Sequence, residues 1–295
     1  MKIEDIIIIG AGPAGIACAI QLHRFDIKPL VFEKNKIGGM INNANLIENY
    51  PGFDKGITGL KFAGLLKEHA DHYSVNFRFQ EVIKAGYEDG LFMVFLLDEI
   101  YHSKFLVFAT GTLPKIPNEI EITPDINNRI FFDIITLIDC RDKKIVISGA
   151  GDLAFDYSLS LGTRNEIMLL NRNNGVKCLP VLKDRVNNLP HFSYHENCAI
   201  KKVINNRYNN LTLIVENQNK TFEIEADFLI FAAGRKPCEI PLDSNLKSDF
   251  DKLRLEGMIM NIGDLNNINC RQLAVAIGDG VKAAVNIYNK MMDCL

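Results

Sequence analysis

Two glycine loops, and the residues that follow each, are the parts of this sequence best suited to hold a charged ligand. The first is Gly10-Ala11-Gly12-Pro13-Ala14-Gly15. Residues this small, at this spacing, allow a tight turn at Gly10, close backbone approach to a pyrophosphate at Gly12, and close helix packing at Gly15. The N–H groups that open the following helix attract an anion. Glu33, at the end of the next apolar run, is placed to accept hydrogen bonds from an adenosine ribose. The second loop, Gly149-Ala150-Gly151-Asp152-Leu153-Ala154, carries alanine where the third glycine would stand, a tolerated variant. No acid follows it; Arg172 and Lys177 stand there instead. A carboxylate would favour a free 2′-hydroxyl, whereas these cations attract a 2′-phosphate, so NADPH is expected over NADH.

Such loops work only between a strand and a helix, and the surrounding pattern supplies both. Asp5–Ile9 is a short apolar run of the kind a buried parallel strand shows. A helical pattern over Ala14–Phe25 and a second strand over Lys28–Glu33 complete a strand–helix–strand start. The same grammar returns at Lys144–Ser148, with a helix over Leu153–Leu161 and a strand over Glu166–Leu170. Two such starts in one chain indicate two nucleotide-type folds. Thr58–Tyr73 is amphipathic, with Leu60, Ala63, Leu66 and Ala70 expected on its buried face. Leu91–Leu97 and Phe105–Ala109 predict strands, and Leu211–Glu216, Thr221–Glu225 and Phe228–Ala232 predict hairpin-linked strands turning at Asn217–Asn219. A last helix is expected over Val281–Met292. Proline-containing joints at Leu113–Pro117 and Arg235–Pro241 mark the crossings, giving a first domain of 1–115 plus 240–295 and a second of 116–239 inserted within it.

Composition narrows the partners. The 295 residues are 47% hydrophobic and 23% charged, enough apolar matter for two packed domains and too much for a disordered chain. Thirty-three basic and 36 acidic residues give a net charge of −3, which argues against nucleic acid or an anionic membrane as the main partner. The apolar stretch Ile6–Ile20 is too short to span a bilayer, and Glu4 and Asp5 spoil the positive leader a signal peptide needs. Seven cysteines at 18, 140, 178, 198, 238, 270 and 294 form no Cys-x-x-Cys and no metal-ligand spacing. An odd, scattered set predicts a reducing, cytoplasmic compartment. His69 and His72, a helical turn apart, lack a third ligand and are expected on a solvated helix end, as His191 and His195 are at the surface. The Asn-rich patches 42–45, 205–210 and 217–219 predict loops without function.

The glycine loops do not stand alone. Gly38-Gly39, Glu48-Asn49-Tyr50-Pro51-Gly52-Phe53, Ala109-Thr110-Gly111, Ala233-Gly234-Arg235-Lys236-Pro237, Ile262-Gly263-Asp264 and Arg271-Gln272 join them in order. With these pieces the sequence resembles the thioredoxin-reductase-like flavoproteins nearly end to end. The resemblance implies an α/β fold of two Rossmann-like, three-layer ββα dinucleotide-binding domains, the NAD(P) domain inserted into the FAD domain. It implies that the first loop and Glu33 hold the ADP part of FAD, that Asn49 lies at the isoalloxazine ring, and that Asp264, with Gly263, binds the ribityl chain. Gln272, with Arg271 and Leu273, would lie near the pyrimidine end of the ring. Lys34, Gly39, Met40, Ala109, Thr110 and Gly111 complete that cofactor-binding set. The second loop and Arg172 would hold NADPH, with Gly234 and Arg235 lining the site. A homodimer is implied as well.

One departure decides the expected chemistry. Thioredoxin reductases carry Cys-x-x-Cys shortly before the second glycine loop; here Cys140 stands alone. A dithiol relay needs a nucleophile and a resolving partner. The two sub-branches without the dithiol are the thioredoxin-reductase-type ferredoxin–NADP reductases and the flavodoxin (quinone) reductases, and Asp156-Tyr157 in the helix after the second loop resembles theirs. The expected function is therefore an NADPH-dependent FAD oxidoreductase that hands electrons straight from flavin to a flavodoxin, a ferredoxin or a quinone, with no catalytic side chain named. Lys34 and Lys36 are candidates for a basic docking patch. The alternatives are a thioredoxin-like disulfide reductase using a single cysteine, Cys140 or Cys18, and a non-catalytic FAD/NADP-binding sensor or subunit.

Overall fold

The computed structural model describes residues 3–206, 210–218 and 220–293. Its α-helices are α1 (Pro13–Arg24), α2 (Gly59–His72), α3 (Asp152–Leu161), α4 (Pro180–Val186), α5 (Ser244–Leu255) and α6 (Leu273–Asp293). The chain divides into two compact units, residues 1–42, 47–113 and 237–295 in one, and 43–46 with 114–236 in the other.

The apolar run near the N-terminus explains the first unit. Strand Ile3–Ile9 lies between Leu30–Phe32 and Ile100–Phe108, parallel to both, with Ile7 opposite Leu30 and Leu106. Ile6 and Ile8 enter one core with α1 and with Ala283, Ala284 and Ile287 of α6. Ile7 and Ile9 enter a second core with Phe92 and Val94 of the hairpin Lys84–Glu88/Leu91–Phe95 and with Leu246 and Leu253 of α5. A strand buried on both faces cannot alternate apolar and polar residues, which is why this run is continuous. The layers are helices, parallel sheet, and hairpin with α5.

The second unit repeats the scheme. Five parallel strands run in the order Phe192–His195, Glu166–Leu170, Lys144–Ser148, Phe228–Phe231 and Ile130–Phe131. Ile145 and Ile147 face Phe155, Tyr157 and Leu161 of α3, while Val146 faces a second sheet through Val203 and Leu213. That sheet is the antiparallel set Ala199–Asn205, Leu211–Asn217 and Lys220–Ala226, with Glu121–Ile122 at its edge.

Several expectations need correction. Leu60 is exposed; Phe62 takes the buried place, its ring edge-on to Tyr50 and Phe53, so the buried stripe of α2 is Phe62, Ala63, Leu66 and Ala70. Phe228–Phe231 is not hairpin-linked but enters the parallel sheet between Lys144–Ser148 and Ile130–Phe131, an interior place where a nearly all-buried strand belongs. The strand at 28–33 shortens to Leu30–Phe32. The last helix starts at Leu273, eight residues before its expected start, because Gly278 and Gly280 do not break it. Gly280 is needed there: a Cβ would stand 2.1 Å from the Ala14 carbonyl oxygen and 2.9 Å from the Cys18 nitrogen. Overpacking two helix backbones costs about 2 kcal/mol. Gly280→Ala is accordingly expected to lower the thermal midpoint by several degrees in calorimetry. Of the Asn-rich patches, Asn42 and Asn43 are buried and bonded: Asn42 Nδ2 donates to the Ile37 and Gly39 carbonyls, and Asn43 Oδ1 accepts from the N–H groups of Ile134 and Ile135. Residues 207–209 and 219 of the other two patches, and Cys294, lie outside the described residues.

Candidate cofactor sites

The three glycines of the first loop have different physical duties. Gly10 has φ +109°, donates its N–H to the Phe32 carbonyl at 2.7 Å, and would put a Cβ 2.3 Å from the Ala109 oxygen. A Cβ on Gly15 would fall 1.9 Å from the Gly10 oxygen. Gly12 is unlike both: its φ is −74° and a Cβ there would meet nothing within 4 Å. The fold itself demands Gly10 and Gly15, while Gly12 borders open space. α1 begins at Pro13 with no side-chain cap, so its first N–H groups are left for an outside acceptor. These features fit a dinucleotide pyrophosphate.

The residues around the loop are tied to it. Buried Glu33 accepts the Ala11 N–H on Oε2 and the Asn35 N–H on Oε1, both at 2.8 Å, and each oxygen keeps a second lone pair. Gly38 donates to the Ala11 carbonyl at 2.8 Å, laying the turn that carries Gly39 and Met40 along the glycine loop. Ala109 donates to Ile9 at 2.8 Å; Thr110 Oγ1 donates to the Cys238 carbonyl, and the Gly111 carbonyl accepts from Cys238 N–H. Lys34 is exposed and paired with Glu81 at 3.4 Å, which removes part of the charge expected for a docking patch.

The structure brings together two of the expected flavin residues, 223 positions apart: Asn49 Nδ2 donates to Gln272 Oε1 at 2.8 Å. Glu48–Asp54 lines an open pocket of about 530 Å³. Arg271 and Leu273 stand half-buried at the start of α6. Gly263 holds φ +67° with its Cα packed so closely that a Cβ would lie 2.8 Å from Ala14 Cβ, which seats the Asp264 turn against α1. Asp279, which the motifs do not single out, fixes that turn: its Oδ2 accepts from Gly263 N–H at 3.1 Å and from Asn267 Nδ2. The available signal is an acid between Gly278 and Gly280 on a small-residue helix.

The second loop is built like the first. Gly149 donates to Leu170 at 2.9 Å, Ala232 donates to Ser148 at 2.8 Å, and a Cβ on Gly149 would lie 2.5 Å from the Ala232 oxygen. Gly151 again borders open space, its nearest neighbour the Lys177 oxygen at 3.9 Å, and α3 starts without a side-chain cap. Asp152 Oδ1 accepts from Leu179 N–H at 2.7 Å, so this carboxylate positions the chain after Lys177. Leu153 is half-buried and Ala154 buried. Arg172 and Lys177 are exposed, and among the described residues neither side chain forms an ion pair. Gly234, at φ +105°, accepts from Lys115 N–H at 3.0 Å, with half-buried Arg235 next to it.

Cysteine chemistry looks poor by comparison. The described cysteines are all free thiols. Cys18 is fully buried, and desolvation pushes its thiol up to about 12. Burial also raises Cys140, whose Sγ faces Asn165 Oδ1, and Cys178. A thiol held protonated is a weak nucleophile. His69 and His72 pack around the Tyr73 ring, and no metal-binding cluster occurs among the described residues. No described helix is long and apolar enough to cross a membrane.

A family model described as pyridine nucleotide-disulphide oxidoreductase matches residues 4–280. The chain belongs to that family. Members of the pyridine nucleotide-disulphide oxidoreductase family are enzymes, and thioredoxin reductases are prominent among this chain's relatives. It is 25% identical over 305 residues to the thioredoxin reductase of Borreliella burgdorferi, covering 97% of this chain and 92% of that one. The thioredoxin reductase of Mycoplasma genitalium is 28% identical over 299 residues, with 97% and 94% covered. The crystal structure of Lactococcus lactis thioredoxin reductase shares the fold, with a TM-score of 0.85 at 21% identity and coverage of 98% and 99%. These names stand closer to the disulfide-reductase alternative than to a flavodoxin, ferredoxin or quinone acceptor.

Proposed function

We propose that this oxidoreductase binds FAD on its first unit and NADPH on its second, and reduces its acceptor at the flavin without a protein dithiol in between. The observation that carries the reading is the open space above Gly12 and Gly151, each at an uncapped helix start within an otherwise tightly packed loop. Held at the first loop, FAD would supply the redox chemistry between NADPH and the acceptor. The chain's own part is to hold and orient. The first turn of α1 meets the pyrophosphate, and Glu33 accepts from the adenosine ribose. Asn49 and Gln272, each fixing the other, present the remaining amide donors and acceptors to the ring edge. Arg172 and Lys177 attract the 2′-phosphate of NADPH. Anaerobic stopped-flow mixing with NADPH tests this; a flavin still oxidised after minutes would sink it.

The relatives' names favour a second reading, in which the acceptor is a disulfide and one cysteine takes part. The raised thiols of Cys18 and Cys140 speak against those two as nucleophiles. Cys18→Ala and Cys140→Ser are expected to leave NADPH-driven turnover unchanged, and loss of disulfide reduction in either would establish the second reading. A screen spanning small disulfides, quinones, flavodoxin and ferredoxin identifies the acceptor. We further place the enzyme in the cytoplasm as a homodimer, which sedimentation checks.

A further inference from the structure

The segment after strand Glu166–Leu170 carries both cations assigned to the 2′-phosphate, and a chain of hydrogen bonds dictates its shape. Asn171 is only 6% exposed, in contrast to Arg172, Asn173 and Asn174 beside it. Its Nδ2 donates to the Gly175 carbonyl at 2.8 Å and to the Tyr194 hydroxyl at 3.0 Å, while its Oδ1 accepts from Asn173 N–H at 3.1 Å. Tyr194 in turn donates to Glu196 Oε1 at 3.1 Å, and the same oxygen accepts from Gly175 N–H at 3.1 Å. The circuit is closed by backbone bonds from Asn171 to His195, from Asn197 to Asn173, and from Cys198 to Asn171. Beyond Gly175, at φ +75°, Lys177 N–H donates to Ala150 and Leu179 N–H to Asp152. One end of the segment is thus held by strand Phe192–His195 and the residues after it, the other by the second glycine loop.

We infer that Asn171, Tyr194 and Glu196 are positioning residues that set the preference for a 2′-phosphorylated cofactor, by holding the 171–175 loop so that the exposed Arg172 stands on it beside Lys177, which the second glycine loop holds. This rests on the NADPH reading above. The physical reason is preorganisation. Without the circuit, five residues including the long cation Arg172 would have to be ordered on binding, at about 1 kcal/mol or more per residue. Glu196 has a second part. A carboxylate beside an anion site repels a phosphate, but here two donors on Oε1 tie it to the inside of the loop. None of the three need touch the cofactor.

The test uses FAD-loaded enzyme titrated calorimetrically with 2′,5′-ADP and with 5′-AMP, which differ only in the phosphate at issue. Asn171→Ala and Tyr194→Phe are expected to weaken 2′,5′-ADP about tenfold, the size of one lost charge-assisted hydrogen bond, and to leave 5′-AMP unchanged. The KM for NADPH should rise by the same factor, with kcat and the KM for NADH unaltered. Glu196→Gln keeps the acceptor oxygen and removes the charge, so it should bind 2′,5′-ADP at least as tightly as the wild type. Equal loss of both ligands, no loss of either, or a weakened Glu196→Gln overturns the inference while leaving the NADPH reading standing. A wild type that does not prefer 2′,5′-ADP to 5′-AMP overturns both.

Discussion

Gly12→Ala should fold like the wild type and lose FAD, while Gly15→Ala should be destabilised in its fold as well. Gly12 sits at φ −74°, an ordinary angle for alanine, with no protein atom within 4 Å of the new Cβ. Nothing in the apoprotein resists the methyl group, so the thermal midpoint of flavin-free protein should stay within about 2 °C of the wild type, the scatter of a neutral surface change. The methyl would instead occupy the space where the backbone must approach a pyrophosphate, and flavin affinity should fall by about 100-fold or more, as for losing two charge-assisted hydrogen bonds. On Gly15 the Cβ would lie 1.9 Å from the Gly10 oxygen, a backbone atom that cannot swing aside. Destabilisation of about 3 kcal/mol is expected there, visible without any flavin present. Flavin absorbance after purification and melting of the apoproteins separate the two effects. A Gly12→Ala protein that retains FAD would refute the site.

Asp156→Asn should stabilise the enzyme at neutral pH and do nothing at acid pH. Burial pushes the Asp156 carboxyl up to about 6; the Asn45 N–H bonded to Oδ2 at 2.9 Å opposes that rise, and Asp152 adds to it. Unfolded, the group titrates near the ordinary aspartate value of about 3.9. Between these values the folded chain binds a proton that the unfolded chain has released. The group's contribution to stability is therefore fully present below about pH 4 and is lost as pH rises through about 6. A carboxyl raised this far on folding costs about 3 kcal/mol of stability by pH 7.5. Asparagine offers the same acceptor to Asn45 without a charge to bury. Urea midpoints should therefore differ between variant and wild type at pH 7.5 and converge at pH 4; parallel curves across that range would contradict the assignment.

The sequence is most legible where one residue type has one physical use. Glycines 10 and 15 can be read because a tight turn and a close packing each exclude a side chain. Glu33 can be read because an acid ends a buried strand. Phe228–Phe231 is misplaced by pattern alone because four apolar residues suit a hairpin or an interior parallel strand equally, and only neighbours choose between them. The pattern cuts α6 short because Gly278 and Gly280 look like breakers until Ala14 and Cys18 are seen against Gly280. Asp279, Tyr194 and Glu196 escape notice because their partners are set by tertiary contacts, Asp279's being twelve or more residues away.

By itself the sequence determined two dinucleotide-type loops, the cations at the second, and the absence of a Cys-x-x-Cys motif. Those are local properties, fixed by spacing along the chain. The tertiary structure alone decided which glycines the packing requires and which borders open space, that Asn49 and Gln272 meet, and that burial raises the lone thiols of Cys18 and Cys140. Each of these depends on what lies within a few ångströms in space, where burial and hydrogen bonding act and sequence distance has no bearing.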